Sequence, residues 1–171
     1  MRLGYRSYGS GQIMTDKKFK EFLNQAKSHN IPYGIYFFPT SVTDKEAEEE
    51  AEFIIKSVQG LNLSYPIYLD SEIADVKTKN GRSDKLDKAT RTKLLKIILD
   101  KLKARGYDCG VYASTSWLNN RLIMSQLSNY KVWVAQYNTS CTYGGKYDMW
   151  QYSSRGQIDG VSGNCDVSKL K

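Results

Sequence analysis

Three times in this chain a short apolar run gives way to an amphipathic helical stretch and then to another apolar run. That alternation constrains the fold more than any other feature. Arg2 to Tyr8 is strand-like and stops at Gly9-Ser10-Gly11. Thr15 is placed to cap a helix through Asp16, Phe19, Phe22, Leu23 and Ala26. Pro32 opens the strand Tyr33–Phe38, and Thr43 caps a helix whose first turns are acidic, as the helix dipole favours. In that helix Ala47, Ala51, Ile54 and Ile55 share one face. Pro66 opens the strand Ile67–Glu72, and a polar loop containing Asn80-Gly81 leads to a helix over Lys88–Ala104. Leu94, Leu95, Ile98 and Leu102 form its buried side, and Gly106 stops it. Cys109–Ser114 reads as a strand, Ser116–Leu122 as a short helix and Lys131–Tyr137 as a strand. The pattern β-α-β-α-β-α-β predicts a largely parallel sheet, because parallel neighbours need long crossovers that helices supply. The closing segments, Asp148–Ser153 and a short one near Asp166, have no long helix between them and suggest an antiparallel finish.

With 171 residues and no linker or internal repeat, one domain over residues 1–171 is the economical reading. No apolar run approaches the roughly 18 residues of a membrane span, and no apolar signal segment follows Met1. Lys and Arg number 25 against 18 Asp and Glu, a net charge of +7. Such a balance suits anionic partners such as acidic wall polymers. The charges are dispersed and no nucleic-acid motif is present, which argues against a nucleic-acid partner. The three cysteines lack CxxC spacing and His29 is the only histidine, so nothing points to a metal or cofactor. Cys109 lies in an apolar strand and reads as a packed thiol, whereas Cys141 and Cys165 lie in loop-like stretches and are free to pair or not.

Chemistry in a parallel α/β fold sits at the carboxyl ends of the strands. There the segment Pro66-Ile67-Tyr68-Leu69-Asp70-Ser71-Glu72 is the most informative. Side chains alternate along a strand, so Tyr68, Asp70 and Glu72 share one face, with the α-carbons of the two acids about 6.6–6.8 Å apart. Like charges so placed drive one pKa upward and favour a protonated acid beside an ionised partner. Glycosidic cleavage needs such a pair, one group to protonate the leaving oxygen and another to stabilise charge at the anomeric carbon. A solvated acidic strand end would produce the same D-x-E, but the neighbouring strands add aromatic walls. By the same parity Gly34, Tyr36 and Phe38 share a face, as do Gly110, Tyr112 and Ser114, and Trp133, Ala135 and Tyr137. Aromatic side chains around a carboxylate pair suit a sugar groove, although ordinary core filling would use the same residues.

Several stretches together resemble the glycoside hydrolase family 25 lysozymes, the N-acetylmuramidases. They are Ile31–Phe38, Pro66–Glu72, Gly110–Ser114, Val132–Tyr137, and Met149–Tyr152 through Asp159–Asp166. The resemblance implies an irregular, TIM-like β/α barrel of mainly parallel strands with antiparallel closing strands. It implies hydrolysis of the β-1,4 bond between N-acetylmuramic acid and N-acetylglucosamine in peptidoglycan, without a metal or cofactor, outside the cell or at the cell wall. Glu72 matches the family's general acid, Asp70 its partner carboxylate and Asp166 a further active-site aspartate. Tyr36, Tyr112, Trp133 and Tyr137 fall where the family lines its groove, and Phe38, Tyr68 and Gln151 extend that set. Asp16 occupies a frequent family position, which helix capping explains equally well. Family members open with a strand bearing Gly-x-Asp-x-Ser and a helix, ahead of the strand matched here by Arg2-Leu3-Gly4-Tyr5. An N-terminally incomplete barrel with an open seam is therefore expected, its edges available to a second copy. Two other functions fit the same residues: a non-catalytic wall-glycan-binding remnant, and a chitin-type hydrolase, since D-x-E also occurs in chitinases.

Overall fold

The apolar run at Ile67 becomes an inner strand of a single sheet in the computed structural model, which describes residues 1–171. The strands are β1 (Arg2–Arg6), β2 (Ile13–Thr15), β3 (Ile35–Phe38), β4 (Ile67–Asp70), β5 (Cys109–Ser114), β6 (Lys131–Ala135), β7 (Met149–Gly156) and β8 (Cys165–Leu170). The helices are α1 (Phe19–Ser28), α2 (Asp44–Val58), α3 (Lys88–Ala104) and α4 (Thr115–Arg121), followed by a 3-10 turn at Met124–Leu127. The strand order is β2-β1-β3-β4-β5-β6-β7-β8. All neighbours from β1 to β7 are parallel, while β2 and β8 add antiparallel to the two ends. The terminal strands β2 and β8 do not pair with each other, so the sheet is mixed and not closed.

Strand parity divides the residues as the pattern requires. Ile35, Phe37, Ile67, Leu69, Val111, Ala113, Val132 and Val134 are buried with Ala51, Ile54, Ile98, Leu99 and Leu102 of the helices in one apolar core. The opposite face carries Tyr36, Tyr68, Asp70, Tyr112 and Trp133. It is tightly built at Gly110, where any Cβ would collide with the Lys131 backbone carbonyl of the next strand. Thr43 caps α2 by accepting from the Glu46 amide at 3.2 Å, and Asp87 caps α3 by accepting from the Thr90 amide at 2.9 Å.

Three expectations need correction. Thr15 does not cap α1; it belongs to β2 and pairs with Gly4. The helix starts after Lys18, and the nearby Asp16 carboxylate accepts from the Lys18 amide at 2.8 Å. A three-residue strand is too short for its alternation to stand out from the first turn of a helix. Second, β7 is parallel to β6, joined by the irregular stretch 136–148 instead of a helix, so the antiparallel finish is confined to β8. Third, β1 ends at Arg6, β3 begins only at Ile35, and β4 and β6 end two residues early, at Asp70 and Ala135, whereas β7 runs on to Gly156. Cys109 is a buried thiol, pushed up to about 12 by burial, and Cys141 and Cys165 are not bridged.

A buried ion pair ties the N-terminal strand to α2. Arg6 Nε donates to Glu50 Oε1 at 2.8 Å, with both side chains out of solvent. Arg6 also donates to the carbonyls of Gly11 and Glu46. Burial pushes Glu50 up to about 7 against the pull of Arg6. Arg6→Met would strand that carboxylate, and a loss of about 3–5 kcal/mol is expected in urea unfolding at pH 8. The loss should be smaller at pH 5, where Glu50 without its cation takes up a proton. Equal losses at both pH values would show that Glu50 is not the group left unpaired.

Candidate active site

Beyond the last residue of β4 the sheet ladder continues for one step, with the Ser71 amide donating to the Tyr112 carbonyl at 2.9 Å. Strand alternation thereby persists, and Asp70 and Glu72 emerge on the same side. They open into a cleft of about 230 Å³ whose remaining walls are Tyr36, Tyr112, Trp133, Tyr137, Gln151 and Asp166. Asp166, from edge strand β8, faces the β4 acids across the opening. Three carboxylates from two strands thus share one aromatic-walled space.

Their environments differ. Asp70 is buried, and its Oδ1 has no hydrogen-bond partner. Burial raises its carboxyl, the charge of Glu72 adds to the effect and Arg2 opposes it, bringing it to about 8. Glu72 stands at the exposed mouth of the cleft, and its carboxyl too is raised, first by lost hydration and then by the charge of Asp166. Burial, reinforced by the charge of Glu72, thus favours a proton on Asp70 at neutral pH.

The walls are fixed by contacts among themselves. Trp133 packs edge-on against Tyr112 with ring centroids 4.7 Å apart and against Tyr68 at 5.4 Å. Its indole N–H donates to Ser168 Oγ at 3.2 Å. Gln151 Oε1 accepts from both Tyr112 (2.8 Å) and Tyr137 (2.9 Å). Two phenol donors on one oxygen set the amide orientation and leave the Gln151 NH₂ as a donor towards a bound molecule.

Two of the expected wall residues stand outside this cleft. Tyr68 is buried beneath Trp133 and lines an adjoining cavity of about 450 Å³ that shares Tyr36, Trp133, Gln151 and Asp166 with the cleft. It supports the wall from below, because it lies one inward step deeper on β4 than Asp70. Phe38 lies past the last registered β3–β4 pair and is level with Tyr5 of β1. Pattern reading missed Arg2. Its guanidinium binds Asp16 Oδ2 at 2.6 Å, and its charge acts on Asp70 and Tyr36. A register break between Arg2 and Gly4 spoils the parity that would have placed it.

The family model described as glycosyl hydrolases family 25 matches residues 7–161. The chain belongs to this family. Among family 25 relatives and look-alikes, the autolytic lysozyme of Clostridium acetobutylicum is 26% identical over 161 residues, covering 94% of this chain and 46% of that protein. The modular autolysin LytC of Streptococcus pneumoniae, solved in complex with a synthetic peptidoglycan ligand, is 30% identical with a TM-score of 0.83, covering 98% of this chain and 39% of that one. The spore cortex lytic enzyme SleM of Clostridium perfringens, at 20% identity and a TM-score of 0.79, shares the fold. The chain thus spans less than half the length of the first two. The family's mixed, mainly parallel α/β architecture is the one seen here, with an open sheet. No helix is long and apolar enough to cross a membrane.

Proposed function

We propose that this chain is a muramidase, hydrolysing the β-1,4 bond between N-acetylmuramic acid and N-acetylglucosamine in peptidoglycan. The observation that carries the proposal is the convergence of Asp70, Glu72 and Asp166 on one cleft walled by tyrosine and tryptophan. Family membership and the lysozyme and autolysin relatives support it.

Glu72, at the mouth, delivers its proton to the glycosidic oxygen as the bond from that oxygen to the anomeric carbon breaks. Positive charge develops at that carbon, and Asp70, once ionised, or the sugar's own 2-acetamido oxygen meets it. Asp166 holds the sugar or the attacking water opposite Glu72. Water then supplies the hydroxyl at the anomeric carbon and returns a proton to Glu72. Trp133, Tyr36, Tyr112 and Tyr137 provide faces for the apolar sides of the rings. These roles suit a protein that acts at the cell wall, and its net positive charge of +7 suits anionic wall polymers as a secondary contact that salt would weaken.

Incubation with purified peptidoglycan should release reducing ends, whereas chitin oligomers should remain largely intact. Binding to walls without any release of reducing ends would instead make the chain a glycan-binding relative of the enzymes.

A further inference from the structure

Behind the catalytic strand end lies a group of side chains that the reaction itself does not use. Trp117, in α4, donates its indole N–H to Ser71 Oγ at 3.0 Å. Ser71 is buried and stands between Asp70 and Glu72 in the chain, on the opposite side of the strand from the cleft. The Trp117 ring is covered by the buried Arg91 guanidinium of α3 at 4.9 Å. Arg91 Nη2 in turn donates to the carbonyls of Ser83 (2.8 Å) and Leu86 (3.2 Å). It thereby pins the end of the long loop that leaves Glu72. The same loop is gathered by the Asp84 carboxylate, which accepts from the amides of Ala74 (2.7 Å), Asp75 (3.0 Å) and Gly81 (2.9 Å). Arg91, Ser71 and Ser83 also line, with Glu72, a small cavity of about 20 Å³.

The hydrogen bond from Trp117 ties the Ser71 side chain to α4 across 46 positions of sequence. The ladder ends at the Ser71 amide, directly after Asp70 and before Glu72, so the Ser71 side chain is the tether at the point where the two acids leave the sheet. We infer that Trp117, clamped by Arg91, is a positioning residue that fixes the directions of Asp70 and Glu72 through Ser71. Trp117 and Arg91 do not line the cleft; their effect is on the rate of the chemical step. This inference rests on the proposed hydrolysis for its kinetic readout, and on the two carboxyl groups for a readout that needs no turnover.

The test is a double-mutant cycle with Trp117→Phe, which keeps an aromatic ring over Arg91 but loses the N–H, and Ser71→Ala, which loses the acceptor. Each variant should lower kcat on peptidoglycan about tenfold while KM stays within about twofold, since a small misplacement of a catalytic group affects the transition state more than binding. The double variant should be no slower than the slower single. Carbon NMR titration of the labelled Asp70 and Glu72 carboxyls should show altered midpoints in both single variants. The groups facing this pair are Asp166, Arg2, Tyr36, Tyr112 and Tyr137, and none of them is changed. Folded single variants with the parent's kcat and the parent's carboxyl titration would overturn the inference, as would additive losses in the double variant. Should Trp117→Phe not fold, Ser71→Ala alone decides by the same two readouts. Should the parent itself release no reducing ends, the hydrolytic reading fails and the carboxyl titration still decides this one.

Discussion

Glu72→Gln should lower kcat on purified peptidoglycan by about 10²–10⁴-fold and leave KM near the parent value. Gln fills the same space and offers hydrogen bonds, but has no proton to give to a departing oxygen. Because Glu72 stands at the exposed mouth of the cleft, the change should leave folding almost untouched. Wall binding by the variant should match the parent's, which separates lost chemistry from lost affinity. A reducing-end assay across substrate concentrations gives both constants. Parent-like turnover would remove Glu72 from the role of acid and shift attention to Asp70, the other carboxyl of the pair.

Asp70→Asn is expected to exchange activity for stability. Aspartate in an unfolded chain titrates near pH 3.9, whereas Asp70 in the fold is pushed up to about 8. Between those values the folded protein retains a proton that the unfolded chain has released. Stability attributable to this group therefore falls as pH rises from about 4 to about 8, then levels off. Each pH unit between the two midpoints corresponds to about 1.4 kcal/mol, a ceiling that coupling to Glu72 lowers. Asparagine carries no such titration, so the variant should melt at nearly the parent's temperature at pH 4 and about 5–10 °C higher at pH 8. Calorimetric scans at pH 4, 6 and 8 measure this directly. Parallel curves for parent and variant would mean that Asp70 is already ionised in the fold at neutral pH. Peptidoglycan turnover should fall sharply in the same variant, as expected where a site retains a carboxyl group in a place that does not favour its charge.

Much of this was legible in the residues because the relevant periods are simple. The spacing of Ala47, Ala51, Ile54 and Ile55 could bury only one helical face, and α2 buries it. Helix α3 runs over Lys88–Ala104 as expected, since Asp87 and Gly106 mark its limits chemically. Parity along β4, β5 and β6 placed Asp70, Tyr112 and Trp133 on one face because those strands are regular and flanked on both sides. Legibility failed at the ends of the sheet. There Arg2, Thr15 and Phe38 depend on a register break and on a hairpin whose short strand carries little pattern. It failed also for Trp117 and Arg91. Each lies far from Ser71 in sequence, and only the packing of α3 and α4 brings them beneath the strand end.

The two sides of the cleft are mounted on unlike supports. Asp70 ends an inner strand with neighbours on both flanks and Glu72 follows it, while Asp166 rides on a rim strand that has one neighbour and two breaks in its register. Amide protons of β8 should accordingly exchange with solvent well before those of β4. One jaw of the site is thus anvil-like, and the other hangs from a single ladder.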